Sequence, residues 1–122
     1  MSSLPEITGA DRKKPLCYDP KRKKFIYFDD IVAKKEKIVP LEKLNDEELK
    51  KLIVERNRVG PDYTVQVLSG EKYSRDDVIR EILRQSEFGK MSLRAEADYL
   101  SDLLEQISRA LQEKKLKRTD IG

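Results

Sequence analysis

The chain has 122 residues, of which 40% are charged and 38% are hydrophobic. Charged residues far exceed the usual share of about 25%, and a chain of this length forms one domain, so a large enzyme core is excluded. The sequence has no histidine and one cysteine, Cys17. These counts exclude histidine-dependent catalytic triads, imidazole zinc sites and intrachain disulfides. The composition therefore predicts a binding or regulatory protein that is not an enzyme.

The basic residues are clustered, although the net charge of +3 is too small to indicate nucleic-acid binding by itself. Between Asp11 and Lys24 there are seven basic residues and two acidic ones. Lys34, Lys35 and Lys37 extend this cluster. A second basic stretch near the end of the chain consists of Lys114, Lys115, Lys117 and Arg118. Such runs form either a solvated surface or a patch that faces phosphates, and the pattern leaves both open.

Residues 1–14 combine Ser, Pro, Gly and charge without an apolar period, which predicts a flexible N-terminal segment. Residues 1–10 also lack the apolar stretch of a secretory signal, and nowhere do about 18 apolar residues follow one another. We therefore expect a cytoplasmic protein without a membrane span, in which the Cys17 thiol stays reduced.

A β-hairpin is predicted where the ordered part of the chain begins, near residue 15. Its strands are Leu16-Cys17-Tyr18 and Phe25-Ile26-Tyr27-Phe28, and Asp19-Pro20 opens the polar turn between them. Because alternate strand residues face opposite ways, one aromatic face can pack inward and leave the tip free. The tip consists of Lys21, Arg22, Lys23 and Lys24. It is suited to DNA phosphates, as in β-ribbon readers, and the alternative is an ordinary charged turn on a core hairpin.

Two helices are predicted after the hairpin. Asp29-Asp30 begins a brief helix over residues 31–37, because acidic residues favour a helix N-terminus. Pro40 separates it from the next helix, since the residue before a proline avoids the helical conformation. Asn45 is a good cap for that second helix, which we expect to run to about Arg58.

One further strand and another helix follow. Residues 63–68 give the strongest strand signal of the chain, with alternating apolar side chains. Ser74 is expected to cap a helix over residues 75–87, in a capping-box arrangement with an acidic residue three positions later. Gly89 is expected to end this helix in the left-handed conformation.

The last helix is expected to start at Ser92 and to be about 30 Å long. Its apolar residues recur at coiled-coil spacing and are Leu93, Ala97, Leu100, Leu104, Ile107 and Leu111. Leaving such a seam in water is unfavourable, by about 1.5–3 kcal/mol for each large apolar side chain, so we expect a homo-oligomer that forms through it. The alternative is a helix that folds back and is covered within its own chain.

No constellation in the sequence indicates catalysis, a metal or a cofactor. The paired carboxylates Asp29-Asp30 and Asp76-Asp77 lie at helix starts, where capping and the helix dipole explain them. Cys17 lies in an apolar strand and is expected to be a buried small side chain. Gly70 is a lone glycine, whereas phosphate loops need several.

Two stretches of the sequence resemble one known family. The first is Tyr18-Asp19 with Phe25-Ile26-Tyr27-Phe28-Asp29-Asp30-Ile31. The second is Tyr63-Thr64-Val65-Gln66-Val67 with Ser69-Gly70-Glu71, Ser74-Arg75 and Val78-Ile79-Arg80-Glu81-Ile82-Leu83. Over residues 16–37 and 63–88 the chain resembles the polyhydroxyalkanoate synthesis repressor (accumulation regulator) family.

This resemblance implies a small domain of the DNA-binding type that represses genes of storage-polymer granules. It also implies that a helical region follows for oligomerisation or granule contact. The DNA contacts that it implies are Lys21, Arg22, Lys23, Lys24 and Arg75.

The sequence as a whole predicts an α+β fold that is mostly helical, with a small hairpin, one further strand, short helices and a long C-terminal amphipathic helix. We expect a flexible segment at 1–14, an α+β domain at 15–89 and an oligomerising helix at 90–118. The predicted function is a non-enzymatic, oligomeric regulator that contacts duplex DNA through the basic hairpin. The alternative is an assembly module that binds a partner protein or a granule surface through the C-terminal helix, with no nucleic-acid role.

Overall fold

The computed structural model describes the backbone of residues 9–121 and the side chains of residues 11–112. Its elements in chain order are α1 (Gly9–Lys13), β1 (Cys17–Asp19), β2 (Lys24–Ile26), α2 (Phe28–Val32), α3 (Asp46–Val59), β3 (Thr64–Gln66), β4 (Lys72–Ser74), α4 (Arg75–Arg84) and α5 (Glu87–Ile121). A short 3-10 turn, Leu41–Lys43, lies between α2 and α3. The fold is α+β and mostly helical, as the sequence predicts.

Strands β1 and β2 form the first hairpin, an antiparallel pair in which Cys17 lies opposite Ile26. The side-chain oxygen Oδ1 of Asp19 accepts hydrogen bonds from the backbone N–H groups of Lys21 (2.9 Å) and Arg22 (3.2 Å), so aspartate organises the turn as expected. Leu16, Cys17 and Ile26 are buried. The first hairpin is therefore part of the core, whereas its turn and the adjoining Lys24 of β2 reach solvent.

Helix α2 differs from its prediction, because it covers Phe28–Val32 rather than residues 31–37. The chain leaves the helix at Lys34, which has the left-handed φ of 62°. The backbone N–H groups of Lys35 and Glu36 then both donate to the carbonyl of Asp30, at 3.0 and 3.2 Å. The residues predicted to be its last turn form a loop instead.

Helix α3 confirms its prediction. Asn45 caps it by accepting a hydrogen bond from the Glu48 backbone, and the Glu48 side chain accepts one from the Asn45 backbone in return. Leu52 and Ile53 face the core and are completely buried.

The strand predicted at residues 63–68 is β3, and it forms a second hairpin with β4, a strand that the sequence analysis missed. Gly70 takes the left-handed φ of 96° in the turn between them. Ser74 caps α4 as predicted, in a reciprocal capping box with Asp77. All three residues of β3 are exposed, so the second hairpin lies on the surface of the molecule.

The predictions for Gly89 and Ser92 are wrong, because α5 already begins at Glu87 and Gly89 lies inside it. Gln85 takes the left-handed position that ends α4, with φ of 57°. A Cβ atom at Gly89 would lie 2.0 Å from the carbonyl oxygen of Glu81. This glycine therefore lets α5 cross close to the end of α4 and is not a helix terminator.

Helix α5 has 35 residues and spans about 52 Å at 1.5 Å per residue. It packs against α3 and α4. Leu100, Leu104 and Ile107 join the same buried cluster as the first hairpin and α3. Within the described residues, no helix is long and apolar enough to cross a membrane.

Part of the N-terminal segment for which the composition predicts flexibility is helical. In α1, a carboxylate oxygen of Asp11 lies 3.8 Å from a guanidinium nitrogen of Arg56. The Arg12 guanidinium lies over the Phe28 ring, 5.5 Å from its centroid. These contacts join α1 to α2 and α3. Residues 1–8 lie outside the described part.

Candidate nucleic-acid interface

Most of the predicted DNA-contact residues lie in and beside the turn of the first hairpin. Lys21, Arg22, Lys23 and Lys24 are all exposed. Lys23 adopts a left-handed φ of 54°, which the turn between β1 and β2 requires. The first hairpin packs Cys17, Tyr18 and Ile26 into the core and presents its basic residues to solvent.

Glu36 joins this turn to the loop that follows α2. Its oxygen Oε1 accepts hydrogen bonds from Arg22 Nη1 at 3.1 Å and from Lys24 Nζ at 2.6 Å. Its other oxygen, Oε2, accepts one from Arg22 Nη2. The Glu36 side chain is 8% exposed, whereas those of Arg22 and Lys24 are 52% and 46% exposed. The carboxylate therefore lies beneath the two cations and is covered by them.

A second acid holds Arg22 from the other side. The Arg22 Nε atom donates to Asp19 Oδ2 at 2.6 Å. Arg22 lowers the pKa of Asp19 by hydrogen bonding to it. Hydrogen bonds from Arg22 and then Lys24 lower the pKa of Glu36 from 4.5 to about 2. Both carboxylates therefore remain charged at neutral pH and keep Arg22 in one orientation.

Five lysines around this cluster have no such partner. Among the described residues they form no ion pair and no side-chain hydrogen bond, and all of them are exposed. We call these residues the basic surface: Lys21, Lys23, Lys34, Lys35 and Lys37. Glu36 joins the loop of residues 34–37 to the hairpin turn, so two segments that each carry exposed lysines lie next to each other.

Arg75 does not belong to the basic surface. Its Nη1 atom donates to the carbonyl of Gly60 at 3.0 Å, and its Nε atom lies 3.6 Å from Asp76 Oδ1. These contacts link the start of α4 to the end of α3. Among the described residues, none of the hydrogen bonds or ion pairs of the Arg75 side chain reaches the first hairpin.

The residues predicted for oligomerisation are covered within the chain. Leu100, Leu104 and Ile107 are at most 4% exposed, and Leu93 and Leu111 are partly buried against the same core. Ala97 is also partly buried. A second copy is therefore not needed to cover this seam, and assembly stays a prediction that needs a separate measurement. The side chains of Lys114, Lys115, Lys117 and Arg118 lie outside the described residues.

The sequence analysis missed three charged residues that join separate elements of the fold. They are Arg56, Glu96 and Glu36. Arg56 is 1% exposed, and its Nη1 atom donates to the carbonyl of Pro15 at 2.9 Å. Its Nε atom lies 3.3 Å from Glu96 Oε1. Glu36 carried one signal, as the only acid in a run of lysines, but its partners lie 12 and 14 residues away.

A shallow groove of about 370 Å³ lies between the second hairpin and α5. Its walls are mostly apolar, including Val65 and Phe88. At its polar end, Asn57 Nδ2 donates to Glu96 Oε2 at 2.8 Å, and the Tyr63 hydroxyl donates to Asn57. Asn57, Tyr63 and Glu96 at this end of the groove thus already bond one another.

The described residues offer no alternative centre for chemistry. They contain no group of three or more Cys, Asp or Glu residues that could hold a metal ion. Burial raises the pKa of the Cys17 thiol to about 11, so it is a poor nucleophile at neutral pH. No protein-family model, curated protein or solved structure matches the chain.

Proposed function

We propose that the protein is a non-enzymatic regulator that binds duplex DNA through the basic surface. The observation that carries this proposal is the contact of Glu36 with Arg22 and Lys24, which places the loop of residues 34–37 beside the hairpin turn. Within the part of the chain that the structure describes, the five exposed lysines of the basic surface form no ion pair. Unpaired lysines on one side of a molecule favour phosphate binding, because each contact releases a counterion from the DNA.

The backbone supports this proposal. Among the described residues, those with positive φ that are not glycine are Lys23, Lys34 and Gln85, so two of these three are lysines of the basic surface. The left-handed conformation costs a non-glycine residue about 1–2 kcal/mol, and Gly or Asn normally fills it. Lysine at both positions favours a role for its charge there, since strained residues cluster at functional sites.

The family resemblance extends the proposal to a target. If the likeness reflects common ancestry, the DNA is a control region of storage-polymer genes and the protein represses them. A dimer would present two basic surfaces to one duplex, which increases the affinity without any new contact. Both the target and the dimer belong to the proposal.

Charge reversal of the basic surface tests DNA binding. We expect Lys21→Glu with Lys23→Glu to lower the affinity for a generic 20-base-pair duplex by more than about tenfold at 50 mM salt. The slope of log affinity against log salt should fall by about 1.8, since each phosphate contact contributes about 0.9. Fluorescence anisotropy over a range of salt concentrations measures both quantities.

The matched control reverses Lys72 and Lys90, which are exposed and form no ion pair among the described residues. It changes the net charge by the same amount but lies outside the basic surface. We expect it to keep most of the wild-type affinity and slope. Equal losses of affinity in the two double variants would contradict the proposal. Wild-type binding that does not depend on the salt concentration would contradict it as well.

An assembly module that acts through α5 is the second candidate. It is favoured by the exposure of Met91 (70%) and Tyr99 (51%) on that helix, outside the covered seam. If it is correct, light scattering should show a mass that increases with concentration, and Met91→Asp should prevent the increase. Charge reversal at Lys21 and Lys23 should then leave the mass unchanged. Leu100→Asp and Leu104→Asp are unsuitable for this test, because both side chains belong to the core and their replacement would unfold the monomer.

A further inference from the structure

The contacts of Glu36 have the form of a phosphate-binding site that is already occupied. Both Nη atoms of Arg22 donate to its two carboxylate oxygens, which is the bidentate geometry of arginine with carboxylates and phosphates alike. Lys24 adds a third charged hydrogen bond to Oε1, at 2.6 Å. An arginine fork with a neighbouring lysine is suited to an oxyanion, and Glu36 supplies that oxyanion from within the chain.

The cations of this site are more accessible than its acid. Arg22 and Lys24 have about half of their side-chain surface exposed, whereas only 8% of the Glu36 side chain is exposed. Asp19 holds the Nε atom of Arg22 and leaves its two Nη atoms for Glu36. An incoming phosphate can therefore approach the two cations from solvent without any movement of the strands.

We infer that the Glu36 carboxylate occupies a phosphate site formed by Arg22 and Lys24, and that a phosphate of duplex DNA displaces it on binding. This inference rests on the proposed function and adds a built-in competitor to it. Binding through the five unpaired lysines comes first, and the exchange at Arg22 and Lys24 completes the contact. Glu36 thus weakens duplex binding, because a phosphate must displace it before it contacts the two cations.

The size of the effect follows from competition. A site that is free for only a fraction of the time binds with an affinity reduced by that fraction. Two exposed ion pairs of ordinary strength hold such a site closed most of the time. We therefore expect Glu36→Gln to raise the affinity for a generic duplex by about five- to tenfold at constant salt.

The matched control for charge is Asp29→Asn. Asp29 is exposed, lies in the same segment and has no ion pair in the part of the chain that the structure describes. It loses the same charge but frees no cation, so it measures general repulsion alone. Circular dichroism confirms that each variant is folded, and Glu36→Ser replaces Glu36→Gln if the latter is not.

A double-mutant cycle separates displacement from general repulsion. Arg22→Gln with Lys24→Gln is measured in the wild type and in the Glu36→Gln background, with the same duplex and salt. If Glu36 occupies the site, removing the two cations lowers the affinity more in the Glu36→Gln background, where they are free. If Glu36 acts only through its charge, the two losses are equal.

Two results support the inference together: a gain with Glu36→Gln that exceeds the gain with Asp29→Asn, and unequal losses in the cycle. Equal gains in affinity for Glu36→Gln and Asp29→Asn, or equal losses in the cycle, overturn the inference. The proposed function then still stands if the wild type binds duplex in a salt-dependent way. If neither the wild type nor Glu36→Gln binds duplex at low salt, both are overturned. If only Glu36→Gln binds, both are overturned as well, because a DNA phosphate then does not displace Glu36 in the wild type.

Discussion

The two hairpins have the same size and pairing but opposite environments. Each consists of two three-residue antiparallel strands. In the first, Cys17 and Ile26 are at most 1% exposed and pack against the rest of the core. In the second, Val65 is 37% exposed and Leu68 in its turn is fully exposed. The first hairpin thus supports an exposed basic turn from within the core, whereas the second hairpin lies on the surface and packs against the core through Tyr73.

This difference shows that burial, and not strand propensity, decides which hairpin is anchored. Residues 63–68 have the strongest strand signal of the sequence, yet only three of them form a strand, and all three are exposed. The weaker segment Cys17–Asp19 forms the strand that reaches the core. Strand propensity depends on side-chain packing, so it predicts a strand better than it predicts where the strand lies.

We expect the largest loss of stability when the buried Arg56 near the first hairpin is replaced. Arg56 donates to the Pro15 carbonyl just before β1 and pairs with Glu96 in α5. Arg56→Met leaves both partners without their cation, which should lower the free energy of unfolding by about 3–5 kcal/mol. On the side of the second hairpin, Tyr63→Phe loses one hydrogen bond to Asn57 and should cost about 1 kcal/mol.

Urea denaturation followed by circular dichroism measures both values. Glu96→Gln is the companion variant, because it removes the charge that Arg56 balances. If Arg56→Met proves as mild as Tyr63→Phe, the first hairpin is not anchored through Arg56 and the contrast between the hairpins weakens.

The next prediction compares the loss of stability when an apolar strand residue is shortened in each hairpin. Ile26→Ala removes a side chain that is 1% exposed and should cost about 2–5 kcal/mol. Val65→Ala removes one that is 37% exposed and should cost less than about 1 kcal/mol. Thermal unfolding of the two variants under identical conditions compares them directly. Similar losses would mean that the second hairpin contributes to the core as much as the first.

The smallest expected effect is the pH dependence of the Glu36 contact. The folded state lowers its pKa from 4.5 to about 2, so its contribution to stability is complete above pH 4.5 and is lost as the pH falls toward 2. The stability difference between wild type and Glu36→Gln should therefore be present at pH 6 and shrink by pH 2. Urea denaturation at several pH values measures it. A difference that stays constant over this range contradicts the ion pairs around Arg22.

Features set by neighbouring residues could be predicted from the sequence. The caps at Asn45 and Ser74 and the aspartate turn at Asp19 depend on residues at most three positions away, and all three are present. The apolar spacing of the last helix also identified Leu100, Leu104 and Ile107 as residues that must be covered. What the spacing could not show is that the chain itself covers them.

Features set by distant contacts could not be predicted. The Glu36 carboxylate finds its partners 12 and 14 residues away, and Arg56 pairs with Glu96 40 residues away. Gly89 has the residue type of a helix end, but its role comes from the close approach of α5 to the Glu81 carbonyl. In each case the sequence shows the residue type but not the group that the residue contacts, because that contact depends on the tertiary fold.

The most direct test of the account is a map of the DNA-binding surface on the protein itself. Backbone amide shifts in NMR spectra are followed while a generic 20-base-pair duplex is added at low salt. We predict that the shifts concentrate in residues 19–24 and 34–37, fade when salt is raised, and leave residues 64–74 unchanged. Shifts centred on the second hairpin or along α5, with residues 19–37 unaffected, would contradict the assignment of the basic surface.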